Sequence, residues 1–271
     1  MTVVVIGATG ALGARVVEGL LAAGASVRTC TRRPLVDPPA GVDARSGDLG
    51  HPGSLDAAFA GATRVFLVSS PGPDQVGLET NAIEAAERAG CARVVKVSNI
   101  PIAGLETGLH GNHRAIERRL VASPVGSVVL QPSFFTSVIA RQAELLARGI
   151  LVLPTGPGRI AWIEPDDIAA VAVAALIRDD LTGPLHITGP DALDGDEVAA
   201  RLGVRRLDPP PGEWRDGAVA SGLLDPWLAD STVHLYEAVA RGALAEVTDT
   251  VERVLGRPPL RAFAGSATEG G

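Results

Sequence analysis

The chain has 271 residues, 46% of them hydrophobic and only 3% aromatic, with a formal net charge of −7 at pH 7. That supports a sizeable core built mostly from Ala, Val, Leu and Ile, as in a parallel sheet covered by helices. A negative balance with both signs mixed along the chain argues against nucleic acid as a partner, because phosphate contacts need a basic face.

Cys30 and Cys91 stand in no CxxC pair or Cys/His cluster. No disulfide and no metal site is therefore expected, and the reading is a reduced, cytoplasmic chain. Met1–Ile6 lacks a basic flank and runs straight into glycines, so it reads as a buried strand rather than a signal peptide. No run approaches the roughly 18 apolar residues of a membrane helix, and no membrane partner is expected.

In chain order, Thr2–Ile6 reads as a strand and Ala11–Ala23 as a helix stopped by Gly24, with Leu12, Val16 and Leu20 on one face. Strands follow at Ser26–Thr31 and near Val42–Arg45, then a helix from His51 through Phe59. Arg64–Val68 is a strand, Gln75–Ala89 a helix, Arg93–Val97 a strand, His113–Ala122 a helix and Ser127–Leu130 a strand. The alternation predicts an α/β fold, a doubly wound parallel sheet of Rossmann type. Past Gln131 short strands are expected at Leu151–Leu153, Ile160–Ile163 and Leu185–Thr188, a helix at Pro165–Arg178, and helices in the remainder, with a frayed tail from Gly265. The expected organisation is a dinucleotide-binding domain over 1–132 and a smaller helix-rich substrate-binding part over 133–271, which need not be cleanly separable.

Gly7-Ala8-Thr9-Gly10-Ala11-Leu12-Gly13 follows a strand and opens a helix. Gly7 suits the tight turn, Gly10 admits a pyrophosphate close to the backbone, and Gly13 permits close helix–strand packing. The helix start then offers bare amides and a positive dipole to phosphates. At the end of the second strand, Thr31-Arg32-Arg33-Pro34 stands where an NAD site carries an acidic residue. A guanidinium matches a 2′-phosphate in charge and geometry, so NADP(H) is the expected cofactor. Asp48, beside Leu49, either accepts from the adenine amino group or caps a helix. Ser69, Ser70 and Pro71 follow the fourth strand and are expected to line the nicotinamide-side ribose.

The GATGALG loop, VRTCTRRP, GDL, HRAIERRL from His113, LQPSFFTSV from Leu130, IEPDDIAAVAVAAL, LHITGPDAL and VTDTVERVLGRPP together resemble the NmrA-like branch of the atypical short-chain dehydrogenase/reductases. That group includes NADPH-dependent quinone and azo reductases, isoflavone-type reductases, and members that bind NADP as sensors or regulators. The resemblance implies that His113 stands at the active site, binding the nicotinamide ribose or donating a proton, for which an unperturbed pKa of about 6.5 suits it. As a plain residue it would be a polar member of a helix's first turn. Ser98 sits where short-chain relatives bind the acceptor oxygen. Pro132 and Phe134 are expected beside the cofactor, and Phe134-Phe135 form either a flat wall for a planar acceptor or core packing. Gln131 and Ser137 replace the family's usual Arg and Asn.

No Tyr-xxx-Lys pair occurs, and the one tyrosine, Tyr236, lies far down the chain. Alcohol/ketone chemistry through that pair is excluded. Lys96, the only lysine, lies in an apolar strand, either snorkelling at a sheet face or lining the cleft. Glu117 reads as a surface or ion-pair residue, and His110 as a loop residue. Thr155–Gly158 is a lid or a plain turn. The expected function is an NADPH-dependent reductase passing hydride to a small, electron-poor, planar acceptor, as monomer or homodimer. The alternatives are a non-catalytic NADP(H) sensor and a non-redox isomerase or cyclase of the same fold.

Overall fold

Runs such as Val3-Val4-Val5 have no polar face to offer water, so they pair into a sheet covered on both sides. A computed structural model describes residues 1–33 and 35–263. Its first elements are β1 (Thr2–Ile6), α1 (Ala11–Ala22), β2 (Ser26–Thr31), β3 (Val42–Ser46), α2 (Asp56–Phe59) and β4 (Arg64–Leu67). Next come α3 (Gln75–Arg88), β5 (Arg93–Val97), α4 (Gly108–Val121), β6 (Gly126–Pro132), α5 (Ser137–Ala140), α6 (Ala143–Ala147) and β7 (Ile150–Val152). The rest are β8 (Ile160–Ala161), α7 (Pro165–Ile177), β9 (Gly183–Ile187), β10 (Ala192–Leu193), α8 (Gly195–Leu202), β11 (Arg205–Leu207), α9 (Pro211–Ala220), α10 (Pro226–Ala240) and α11 (Thr250–Leu255).

Seven strands form one sheet in the order β3-β2-β1-β4-β5-β6-β9. The pairs β1–β2, β1–β4, β2–β3, β4–β5 and β5–β6 are parallel. This is a Rossmann-like α/β sheet whose strand order reverses between β1 and β4, the point where such sheets bind ligands. The chain divides into two units. The first comprises Met1–Asn99, Gly111–Gln131 and Asp166–Leu185, the second Ile100–His110, Pro132–Pro165 and His186–Gly271.

In the first unit, Leu55, Phe59, Val65, Leu67, Ile83, Val94, Ile116 and Leu120 bury one face of the sheet beneath α2, α3 and α4. On α1, Gly19 leaves room for Val173 of α7, whose Cγ2 would lie 2.8 Å from a Cβ at that position. Arg64 donates to the Leu176 carbonyl at 2.7 Å and Arg93 to the Ala175 carbonyl at 3.0 Å. Both satisfy α7's terminal carbonyls and complement its negative end. In the second unit, Trp162, Leu151, Val198, Trp214, Tyr236 and Val239 form a separate core. Two short ribbons, β7–β11 parallel and β8–β10 antiparallel, flank it.

Four elements differ from the sequence reading. Helix α4 starts at Gly108, five residues before His113, so His110 is buried in a helix rather than sitting in a loop. Its start rests on Ser231 of α10, whose Oγ accepts from the Leu109 amide at 3.2 Å. The single helix expected from His51 to Phe59 is a 3-10 turn (Pro52–Ser54) followed by the short α2. The strand expected over Ile160–Ile163 ends at Ala161, and β11, carrying two arginines, was not foreseen. Pro34 and the tail from Gly265 lie outside the described residues. No described helix is long and apolar enough to cross a membrane.

Both thiols are buried, and burial pushes each up to about 11. Neither should react with a disulfide reagent at pH 8 in the folded protein, and both should react once denaturant is added. Stability should also fall as pH rises from 9 toward 11, because the unfolded thiols ionise there while the folded ones keep their protons.

Candidate dinucleotide site

Parallel pairing brings the carboxyl ends of β1, β2, β4 and β5 to one edge of the sheet, and the loops leaving that edge carry most of the expected site residues. Gly7 turns off β1 with φ +79°, and a Cβ there would stand 2.5 Å from the Val68 carbonyl oxygen. A side chain is therefore excluded both by conformation and by space. A Cβ on Gly13 would collide with the Gly7 carbonyl oxygen, so α1 sits against the end of β1 only because residue 13 is glycine.

Gly10 caps α1 in an extended conformation without any side-chain bond to the helix. The first-turn amides of Ala11, Leu12 and Gly13 thus meet no capping side chain, and Thr9, Gly10 and Ala11 are exposed. Unpaired amides at the positive end of a helix suit an anion such as a pyrophosphate. The arrangement fits a dinucleotide on grounds of geometry alone.

Beyond β2 the backbone is pinned while the charges stay outside. Thr31 Oγ1 donates to the Arg33 carbonyl at 2.6 Å, and Ser46 Oγ to the Arg32 carbonyl at 3.2 Å. Both guanidinium groups are exposed and form no salt bridge among the described residues. Asp48 closes its own turn, accepting from the Gly50 amide at 2.9 Å and lying 3.3 Å from His51 Nδ1. The Gly50 amide, and then the imidazole, hold its carboxyl below the usual range. Leu49 is half-buried, and its carbonyl accepts from Asn81 at 2.7 Å.

Ser69, Ser70 and Pro71 leave β4 in a loop fixed at both ends. Asn112 Nδ2 donates to the Gly72 carbonyl at 2.8 Å, and Ser69 Oγ donates to Glu79 Oε1 at 2.8 Å. Ser98, just past β5, is buried. Its Oγ lies 2.6 Å from Glu117 Oε1 and accepts from Arg114 at 3.0 Å. A carboxylate only accepts and a guanidinium only donates, so the hydroxyl's proton goes to Glu117. Arg114 also reaches the Asn99 carbonyl at 2.7 Å, and Gln131 Nε2 donates to Glu117 at 3.0 Å. His113 is buried on α4.

In the second unit Pro132 is buried, and Phe134 packs inward, 5.2 Å from Trp162 and edge-on to Tyr236 at 6.2 Å. Its ring is partly buried and packs against the core of that unit. Tyr236 is fully enclosed, also meeting Trp214 at 4.9 Å, and burial raises its phenol well above the usual range. Gly158 packs against the Val239 backbone and its amide donates to the Thr155 carbonyl at 3.0 Å, so Thr155–Gly158 forms a tight turn. A cavity of about 550 Å³ in the same unit is lined by Leu145, Val152, Leu207, Trp214 and Leu223 among others, and by none of the expected site residues.

Lys96 is neither snorkelling nor lining a cleft. It is fully buried and paired with Glu79, also fully buried. Two signals pointed that way: the lone lysine in an apolar strand, and a glutamate on the same helix face as Ile83 and Ala86. Asn112 and Arg114 carried no sequence signal of their role.

This set of bare amides, glycines and exposed arginines around a sheet's switch point defines a nucleotide-binding protein of the Rossmann type. The NAD(P)H-binding family matches residues 7–179. An NAD(P)H azoreductase of Xenophilus azovorans is 33% identical, over 97% of this chain and 95% of that one. A (4-alkanoyl-5-oxo-2,5-dihydrofuran-3-yl)methyl phosphate reductase of Streptomyces griseus is 31% identical, over 98% of each. The chain belongs to the NAD(P)H-binding family, in its NmrA-like, atypical short-chain dehydrogenase/reductase branch. Its fold matches a Citrobacter sp. triphenylmethane reductase complexed with NADP(H), with TM-score 0.83 and 23% identity over 98% of this chain and 100% of that one. An Escherichia coli NADPH-dependent quinone oxidoreductase complexed with NADPH gives TM-score 0.84, covering 97% and 98% at 23% identity.

Replacing Gly13 by Ala should separate α1 from β1. The variant should lose at least about tenfold in nicotinamide nucleotide affinity, measured by fluorescence titration, and unfold at lower denaturant than wild type.

Proposed function

We propose that this NAD(P)H-dependent oxidoreductase prefers NADPH and reduces a small, electron-poor, planar acceptor such as a quinone, an azo compound, an enone or an imine. The observation that carries the cofactor choice is the pair of exposed arginines closing the β2 end, beside a glycine loop with bare amides. NADPH would supply the hydride, and its adenosine 2′-phosphate would meet Arg32 and Arg33. Thr9 through Gly13 would hold the pyrophosphate. Asp48, Leu49, Ser69, Ser70 and Pro71 would border the remainder.

The acceptor class follows from what the protein lacks as an acid. Tyr236 is enclosed by aromatic rings, and the sole lysine is spent on a buried ion pair. Polarised alcohol/ketone chemistry through a tyrosine–lysine pair has no residues to run on. Acceptors that already draw electrons strongly need only a mild proton source, and His113 fits that role. Ser98, with its proton on Glu117, would position β5 against α4 rather than serve an acceptor oxygen. The reductases among the relatives, acting on an azo group and on a conjugated furanone by their names, support this class.

The purified protein should oxidise NADPH in the presence of quinones, azo dyes or enones, followed at the nicotinamide absorbance, with NADH at least about tenfold poorer in kcat/KM. Changing Arg32 and Arg33 to Asp should reverse that preference, and an unchanged preference would contradict the proposal. His113→Ala should lower kcat by roughly 10²-fold while leaving NADPH affinity within a few fold. Tight NADPH binding with no acceptor turned over would favour the sensor reading instead.

A further inference from the structure

The chain keeps one lysine and places it where a charge is least welcome. Lys96 registers opposite Leu67 in the β4–β5 pair, with its ammonium wholly out of water. It sits between both oxygens of Glu79, 3.1 Å from Oε1 and 2.9 Å from Oε2, and also donates to the Val97 carbonyl. Two buried charges are a poor way to stabilise a core, because well-packed apolar residues of similar size usually do as well or better. The pair's use therefore lies in what the carboxylate holds.

Glu79 Oε1 gathers three donors: Lys96 Nζ, Ser69 Oγ at 2.8 Å and Gln75 Nε2 at 3.1 Å. Ser69 is the second residue past β4 and opens the loop that carries Ser70 and Pro71 to the binding edge of the sheet. A carboxylate only accepts, so Glu79, seated against the Lys96 ammonium, fixes the direction of the Ser69 hydroxyl. At its far end the same loop is tied by Asn112 to the Gly72 carbonyl.

We propose that the buried Lys96–Glu79 pair positions the β4–α3 loop through Ser69, and so sets the affinity of the site for the nicotinamide half of the cofactor. The inference rests on the reading that this loop lines the nicotinamide-side ribose. Lys96, Glu79 and Ser69 are positioning residues on this account and take no part in hydride or proton transfer.

The test reads binding rather than turnover, so a protein that reduced no acceptor would still decide it. Removing one partner alone strands the other charge in the interior, so the double variant Lys96→Met with Glu79→Leu replaces both by apolar chains. NADPH affinity should fall about tenfold in that variant, about tenfold in Ser69→Ala, and no further when all three changes are combined. Affinity for 2′,5′-ADP, which lacks the nicotinamide half, should stay within about twofold of wild type in each variant, and Ser69→Thr should bind NADPH as wild type does. Equal losses for NADPH and 2′,5′-ADP would reveal general damage and overturn the proposal. So would multiplicative losses in the triple variant, or Ser69→Ala binding NADPH undiminished, which decides the matter even if the double variant does not fold. Wild-type protein that bound neither nucleotide would overturn the reading of the site and this inference with it.

Discussion

The contact on which everything else depends is the approach of α1 to the end of β1. It is possible only because Gly13 presents no Cβ to the Gly7 carbonyl and Gly7 none to Val68. The approach brings the start of α1 to the switch point of the sheet, between β1 and β4. There the first-turn amides have no side chain to satisfy them. In water such amides are hydrated; against a pyrophosphate they meet a full charge along the helix axis. The carboxyl ends of the neighbouring strands carry arginines after β2, a tied serine loop after β4 and a serine–carboxylate–arginine cluster after β5.

The two charged networks near the sheet edge divide their work by burial. Glu117 and Arg114 are partly accessible and, with the buried Ser98, knit β5 to α4, with Gln131 as a further donor. Glu79 and Lys96 are wholly enclosed and reach toward the sheet edge through Ser69. In both clusters a carboxylate accepts from several donors, and that forces each hydroxyl into one orientation. Rigid hydroxyls and pinned carbonyls, including those of Arg32 and Arg33, keep the edge of the sheet in shape while the guanidinium groups remain available to solvent.

How much of this could be read from the sequence follows the range of the interactions. Helix α1 was legible almost to the residue, because its start and stop are local: glycines on one side, Gly24 at φ +73° on the other. The parallel α/β sheet followed from strand–helix alternation, and the glycine-rich turn from spacing and context. The true start of α4 was hidden because the group that meets it, Ser231, lies 122 residues away in sequence. Strand β11 was hidden because its residues, Arg205-Arg206-Leu207, carry no strand pattern and pair only through the tertiary placement of β7. Phe134 was readable both as an acceptor wall and as core packing, and its packing partners Trp162 and Tyr236 could not be named because they come from distant segments. Lys96 was conspicuous on its own, but Glu79 becomes its partner only once α3 covers β5.

The proposed function turns on one electrostatic match, in which two arginines at the end of β2 would recognise a phosphate that NAD lacks. Competition against bound NADPH by adenosine fragments isolates that recognition from the rest of the cofactor. The account predicts that 2′,5′-ADP displaces NADPH at concentrations at least about tenfold lower than 5′-ADP, and that raising the salt narrows the gap. Equal displacement by the two fragments would contradict it.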